Sequence, residues 1–138
     1  MEFAALVHMN GAFYLRYALA RALDKDTAQA AVDTTLAEAA SRWSVLLHGP
    51  QPAAAIWLRL RLNVEEMNRH VARRDPLLES LYGSLSQLAA DAVVLHRQLN
   101  LSVDTAAGLM GVERSAIAGA LLTAKRVLPF AFDDAKEG

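Results

Sequence analysis

From Phe3 to Leu23 the apolar residues Phe3, Leu6, Val7, Phe13, Tyr14, Tyr17 and Leu23 are spaced as one or two faces of a helix. Gly11 interrupts that stretch and costs about 1 kcal/mol against alanine in a helix interior, which leaves room for a kink or break there. Asp24 or Asp26 is placed to cap a second helix. Its stripe reads Ala28, Ala31, Val32, Thr35, Leu36, Ala39 and Trp43. The run His48–Pro52 (HGPQP) predicts a turn or loop. A third helix follows over roughly Ala53–Arg73, with Ile56, Leu60, Val64, Met67 and Val71 on its apolar side. Its other side carries Arg59, Arg61, Glu65, Glu66, Arg69, Arg73 and Arg74, and Pro76 limits it, because the residue before proline avoids the α region.

The pattern restarts at Leu77. Leu77, Leu78, Leu81, Leu85, Leu88, Ala92, Val93 and Leu95 predict a helix pair interrupted near Gly83. Two shorter helices are predicted at Ser102–Met110 and Glu113–Leu128, after which Pro129 and the acidic DDAKEG end the folded part. Nothing reads as a sheet, so the fold class is all-α, in two small helical domains. The expected division is 1–75 for a three-helix domain, 76–84 for a short junction, 85–130 for a helix-turn-helix domain and 131–138 for an acidic tail.

Composition agrees with a packed helical chain. Of 138 residues, 54% are hydrophobic and 21% charged, which favours a core over disorder. Cysteine is absent, which excludes disulfides and thiolate metal sites. No secretory leader pattern opens the chain and no apolar run is long enough to span a bilayer, so the expected location is the cytoplasm, with no membrane partner. The formal net charge of −1 neither suggests nor forbids a local basic face.

Catalytic patterns are missing. His8, His48, His70 and His96 are scattered, with no metal-gripping spacing. Neither a nucleophile elbow nor a phosphate-cradling glycine loop occurs. Glu65 and Glu66 are adjacent, so on a helix they point about 100° apart and form no facing acid pair. An enzyme is not expected.

The segment Leu85–Leu128 resembles, without a gap, the C-terminal helix-turn-helix domain of bacterial extracytoplasmic-function sigma factors. The residues that carry the likeness are Leu85, Val94, Leu95, Leu101-Ser102, Ala107, Leu109-Met110-Gly111-Val112, Ile117, Leu121, Ala124-Lys125 and Leu128. Ser102 is placed to cap the first helix of the motif, and Gly111 to supply a left-handed turn. Ala107, Leu109, Val112, Ile117 and Leu121 are expected to hold the two helices together. Tyr14–Trp43 resembles the first two helices of the same family's promoter-melting domain, through Tyr14, Leu15, Arg16, Tyr17, Ala18, Asp24, Ala28, Ala31, Val32, Thr35, Ala39, Arg42 and Trp43. Trp57-Leu58, Asn63 and the Arg69, Arg73, Arg74 cluster loosely resemble its third helix. The resemblance covers roughly residues 3–128, in the family's domain order.

Membership implies an N-terminal unit that binds the RNA polymerase clamp and melted promoter, and a C-terminal unit that binds the upstream element. It implies no cofactor, and regulation by an anti-sigma-type protein. The DNA-facing candidates are Arg114, Ser115, Lys125 and Arg126 on the recognition helix, with Arg59, Arg61, Asn63, Arg69, Arg73 and Arg74 on the third helix. Polymerase or partner candidates are Asp33, Thr34, Leu36, Glu38, Ile117 and Leu121.

Several positions depart from the family's pattern. Ala118, Gly119, Ala120 and Thr123 stand where it usually carries lysine, serine or arginine, and alanine and glycine offer neither donor nor acceptor to DNA. Leu85–Leu128 has a net charge of +1, from Arg97, Arg114, Lys125 and Arg126 against Asp91, Asp104 and Glu113. That is a weak attraction for a duplex. Ala55–Arg74 is more basic, with five arginines against two glutamates. It reads either as a solvated face laced by Arg61–Glu65 and Glu65–Arg69 pairs or as a nucleic-acid contact. Around Ala30–Ala40 the family's acidic, glutamine-containing run is reduced to Asp33 and Glu38. Two functions stay open. One is a sigma-like regulator of transcription initiation with weakened promoter contacts. The other is a sigma-shaped interaction module, a decoy or adaptor for an anti-sigma factor, polymerase or another regulator, that does not read DNA, with an Ala-Ile-Ala-Gly-Ala-Leu-Leu surface offered to its partner. Oligomeric state is left open.

Overall fold

The computed structural model describes residues 2–70 and 75–132. Among these the chain is all-helical and contains no strand. The helices are α1 (Phe3–Ala20), α2 (Lys25–Ser41), α3 (Trp43–His48), α4 (Pro52–Asn68), α5 (Pro76–Ser84), α6 (Gln87–Val93), α7 (Val103–Met110) and α8 (Arg114–Val127). A π-helical turn over Val94–Gln98 continues α6, and a 3-10 turn over Pro129–Phe132 follows α8. Two compact units are distinguished: Met1–Arg73 with Gly108–Gly111, and Arg74–Ala107 with Val112–Gly138.

In the first unit α2 packs on both α1 and α4, and the short α3 lies beside α4. Alanine makes this possible. Ala18, Ala28, Ala31 and Ala39 are all buried, and their small side chains let helix backbones approach closely. Small residues leave volume to fill, and aromatic rings fill it. Trp57 is 1% exposed, with its ring centroid 4.6 Å from that of Tyr17 and 6.2 Å from that of Tyr14. Ile56, Leu60 and Val64 complete the buried face of α4. Asp24 caps α2 by accepting from the Thr27 amide at 2.7 Å, and this bond holds its carboxyl below the usual range.

A buried cation accompanies this core. The Arg21 side chain donates to the Tyr17 hydroxyl at 2.6 Å and lies 3.8 Å from Glu65. Asn68 donates to the Arg21 carbonyl at 3.1 Å. Tyr17 and Glu65 are thus partners to the buried guanidinium, while Asn68 satisfies the backbone carbonyl of the same residue.

In the second unit Asp75 caps α5, accepting from the Leu77 and Leu78 amides, and Pro76 occupies the first turn, where its missing amide is harmless. Ser86 caps α6 through the Ala89 amide at 3.1 Å. Residues Ala89–Leu95 are buried without a break, so this segment is enclosed all round. The main helical partner of α6 is α8, which buries Ile117 and Ala124. Arg97 fastens the Pro129–Phe132 turn, donating to the Phe132 carbonyl at 3.0 Å while its guanidinium lies 5.3 Å from that ring's centroid.

Several expectations change. α1 runs through Gly11 unbroken, because burial of Leu6, Tyr14, Tyr17 and Ala18 outweighs one unfavourable residue. Among the described residues, 2–70 form four helices rather than three. Trp43 leaves the α2 stripe, starts α3 and meets Phe3 edge-on at 5.4 Å. Gly83 lies inside α5, and the interruption falls at Leu85-Ser86, where Leu85 is extended and Ser86 starts a new helix. Residues 76–84 form α5, the first helix of the pair that the leucine pattern predicts, capped by Asp75 and anchored by the buried Leu78 and Leu81. Ordered structure extends past Leu128 to Phe132 because Arg97 holds it. Val71, Arg73, Arg74 and the acidic residues from Asp133 lie outside the described residues.

Two glycines respond oppositely to alanine. Gly111 has φ +69°, where a Cβ is strained, and Gly111→Ala lowers stability by at least about 1 kcal/mol. Gly119 lies inside α8 with nothing within 4 Å of a Cβ, and Gly119→Ala raises stability by about 0.5–1 kcal/mol. Urea unfolding of both variants checks the two signs.

Candidate nucleic-acid and partner interface

The helix-turn-helix segment is built as its residues require. Ser102 accepts from the Thr105 amide at 3.0 Å and so caps α7. Gly111 takes the left-handed conformation in the turn, and the Val112 amide returns to the Ala107 carbonyl at 3.1 Å. Ile117 and Ala124 fix the inner side of α8. On the opposite side Ser115, Ala118, Gly119, Leu122 and Arg126 are exposed, and Thr123 is exposed beside them.

That outer side is unevenly equipped. In helix-turn-helix readers the N-terminal residues of the second helix reach base edges. Here they are Arg114, Ser115, Ala118 and Gly119. Arg114 Nε donates to Asp104 Oδ1 at 2.7 Å, so the one cation at that end already has an anion. Lys125 and Arg126 are exposed in the last turn. There they complement the negative end of the helix dipole and can reach phosphate. Leu122, 66% exposed, occupies the middle of the side.

Ile117, expected at a partner surface, is fully buried, and Leu121 is half-buried. The run Ala116–Leu122 therefore does not form one apolar surface, because the helix turns Ile117 inward and Leu122 outward. Leu122 was the apolar residue to single out: it falls five positions after Ile117, on the far side of the helix.

The third-helix candidates are largely engaged inside their own unit. Glu38 of α2 accepts from Arg59 Nη2 at 3.1 Å and Nε at 3.3 Å, and from Asn63 Nδ2 at 3.1 Å. Asn63 also donates to Thr35 Oγ1 at 2.9 Å, and buried Thr35 donates to the Ala31 carbonyl. The Arg59 hydrogen bond, followed by that from Asn63, holds the Glu38 carboxyl below its ordinary range. Glu38, Arg59 and Asn63, expected at interfaces with other molecules, thus tie α2 to α4.

Of the remaining candidates, Arg61 is half-buried and engaged within the protein. Arg69 is exposed and pairs with Glu66 at 3.3 Å. Asp33 accepts from Gln29 at 2.9 Å, Thr34 is exposed and Leu36 is half-buried. The outward side of α4 instead presents Leu58 and Leu62, 47% and 43% exposed. Among the described residues no group of three His, Asp or Glu side chains could hold a metal ion, and no helix is long and apolar enough to cross a membrane.

No family model, curated protein or solved structure matches this chain. The likeness to sigma factors rests on the residues that carry it.

The Glu38 bonds have a pH signature. Because its folded pKa lies below the ordinary glutamate value, the pair's stabilisation is present above that ordinary value and is lost as pH falls through the lowered pKa. Wild type is more stable than Glu38→Gln near neutrality, by about 0.2–1 kcal/mol for so exposed a pair. The difference shrinks towards zero in strong acid. Thermal unfolding of both proteins across the acid range checks it.

Proposed function

We propose that this chain is a sigma-factor-like regulator of bacterial transcription initiation whose promoter contacts are weakened. The observation that carries the reading is the segment Ser102–Val127: a serine-capped helix, a left-handed glycine turn, and a second helix with one buried and one exposed side. The likeness of Tyr14–Trp43 to the family's polymerase-binding helices supports the same reading. DNA contact falls to phosphate through Lys125 and Arg126, with Ser115 and a released Arg114 at the other end. With at most three cations on α8, the dependence of log affinity on log salt is shallow, with a slope of about −0.9 per phosphate neutralised.

A second reading has its own observation. Leu122 projects from the centre of the outer side, and the N-terminal cation is tied to Asp104. This surface favours a protein partner, an anti-sigma factor or polymerase itself, over base edges.

Pull-down of the tagged chain with core RNA polymerase tests the proposal. The regulator reading expects polymerase subunits to be retained. It also expects weak duplex binding whose salt slope falls by about two when Lys125 and Arg126 are both replaced by alanine. Retention of an anti-sigma-type protein without polymerase favours the interaction module. Retention of neither overturns both.

A further inference from the structure

At the C-terminal end of α2, beside α3 and α4, the first unit holds an open cleft of about 460 Å³. This lies within the roughly 300–1,000 Å³ usual for small-molecule sites. The cleft's floor is aliphatic, formed by buried Ile56 and Ala39 with half-buried Leu46 and Ala55, and the exposed Leu58 stands beside it. No aromatic side chain lines it, so it offers no platform on which a flat ring would stack.

The rim carries two guanidinium groups and one carboxylate. Arg59 and Glu38 answer each other, as described above. Arg42, in the single-residue link between α2 and α3, also lines the cleft and is exposed. It makes no side-chain hydrogen bond or ion pair with any described residue. The cleft therefore combines a net positive rim with an aliphatic floor.

We propose that this cleft binds a medium-chain aliphatic carboxylate, its chain against Ile56, Ala55 and Leu58 and its head group paired with Arg42. A guanidinium fork matches a carboxylate in two parallel hydrogen bonds, which a neutral head group cannot reproduce. The apolar chain gains from leaving water, and the charged end stays at the open mouth, where desolvation is small.

The test needs neither DNA nor polymerase, so its outcome is independent of the proposed function. Octanoate and its uncharged counterpart octanamide are titrated into the full chain by calorimetry, with amide-resolved NMR to locate the site. The expected result is saturable octanoate binding that perturbs Arg42, Ala55 and Leu58, with octanamide bound more weakly. Arg42→Gln should weaken octanoate by about two- to fivefold, as for an exposed ion pair, and leave octanamide unchanged. Ala55→Phe, with folding verified by circular dichroism, should block both ligands. Arg42 is exposed, so its variant keeps the test decisive even if the phenylalanine disturbs packing. Unsaturable binding, equal affinity for the two ligands, or octanoate affinity indifferent to Arg42→Gln would each overturn the proposal.

Discussion

The first unit depends on the enclosure of Trp57 between Tyr14 and Tyr17. Helices rich in alanine approach closely but bury little area per residue, so one large side chain must supply much of the core. Once Trp57 points inward with Ile56, Leu60 and Val64, the rotation of α4 is set. Helical geometry then carries Arg59 and Asn63 to the edge nearest α2, where Glu38 accepts from both. Leu58 and Leu62 are turned outward by the same rotation. The polar contacts of this unit thus follow from its hydrophobic ones.

The second unit shows a similar division of labour. Ile117 and Ala124 fix which side of α8 is inside, and whatever lies opposite becomes its working surface. That surface has small residues where a DNA reader needs donors, a leucine at its centre and two cations in its last turn. Such an arrangement suits attraction to phosphate better than base recognition, because cations without matched base contacts give binding without sequence choice. The Arg114–Asp104 pair sharpens the point. A DNA phosphate at this position would compete with a carboxylate already 2.7 Å from the guanidinium.

Helical character was legible throughout, because the apolar spacing and the caps at Asp24 and Ser102 are local signals. The left-handed turn at Gly111 was legible for the same reason. Local signals failed where long-range packing decided the outcome. Gly11 left room for a break, but the core residues on both sides keep α1 continuous. Trp43 looked like part of the α2 stripe, but it starts α3 and meets Phe3. The candidate interface was less legible still. Charge on a helix announces a polar face, yet it cannot say whether the partner is DNA or a neighbouring helix. Glu38, Arg59 and Asn63 are distant in sequence, and only folding reveals that they bond to one another. Likewise Ile117 and Leu122 sit in one apolar run, and only the helix phase separates core from surface.

On the proposed function, DNA contact belongs to α8, while Arg59 and Asn63 bond to Glu38 and serve the fold. Amide-resolved NMR during titration of the full chain with a short duplex at low salt tests it most directly. Perturbations confined to Ser115, Lys125, Arg126 and their neighbours on α8, with Arg59 and Asn63 unmoved, are what this account predicts. Perturbations centred on Arg59 and Asn63, with α8 silent, would contradict it.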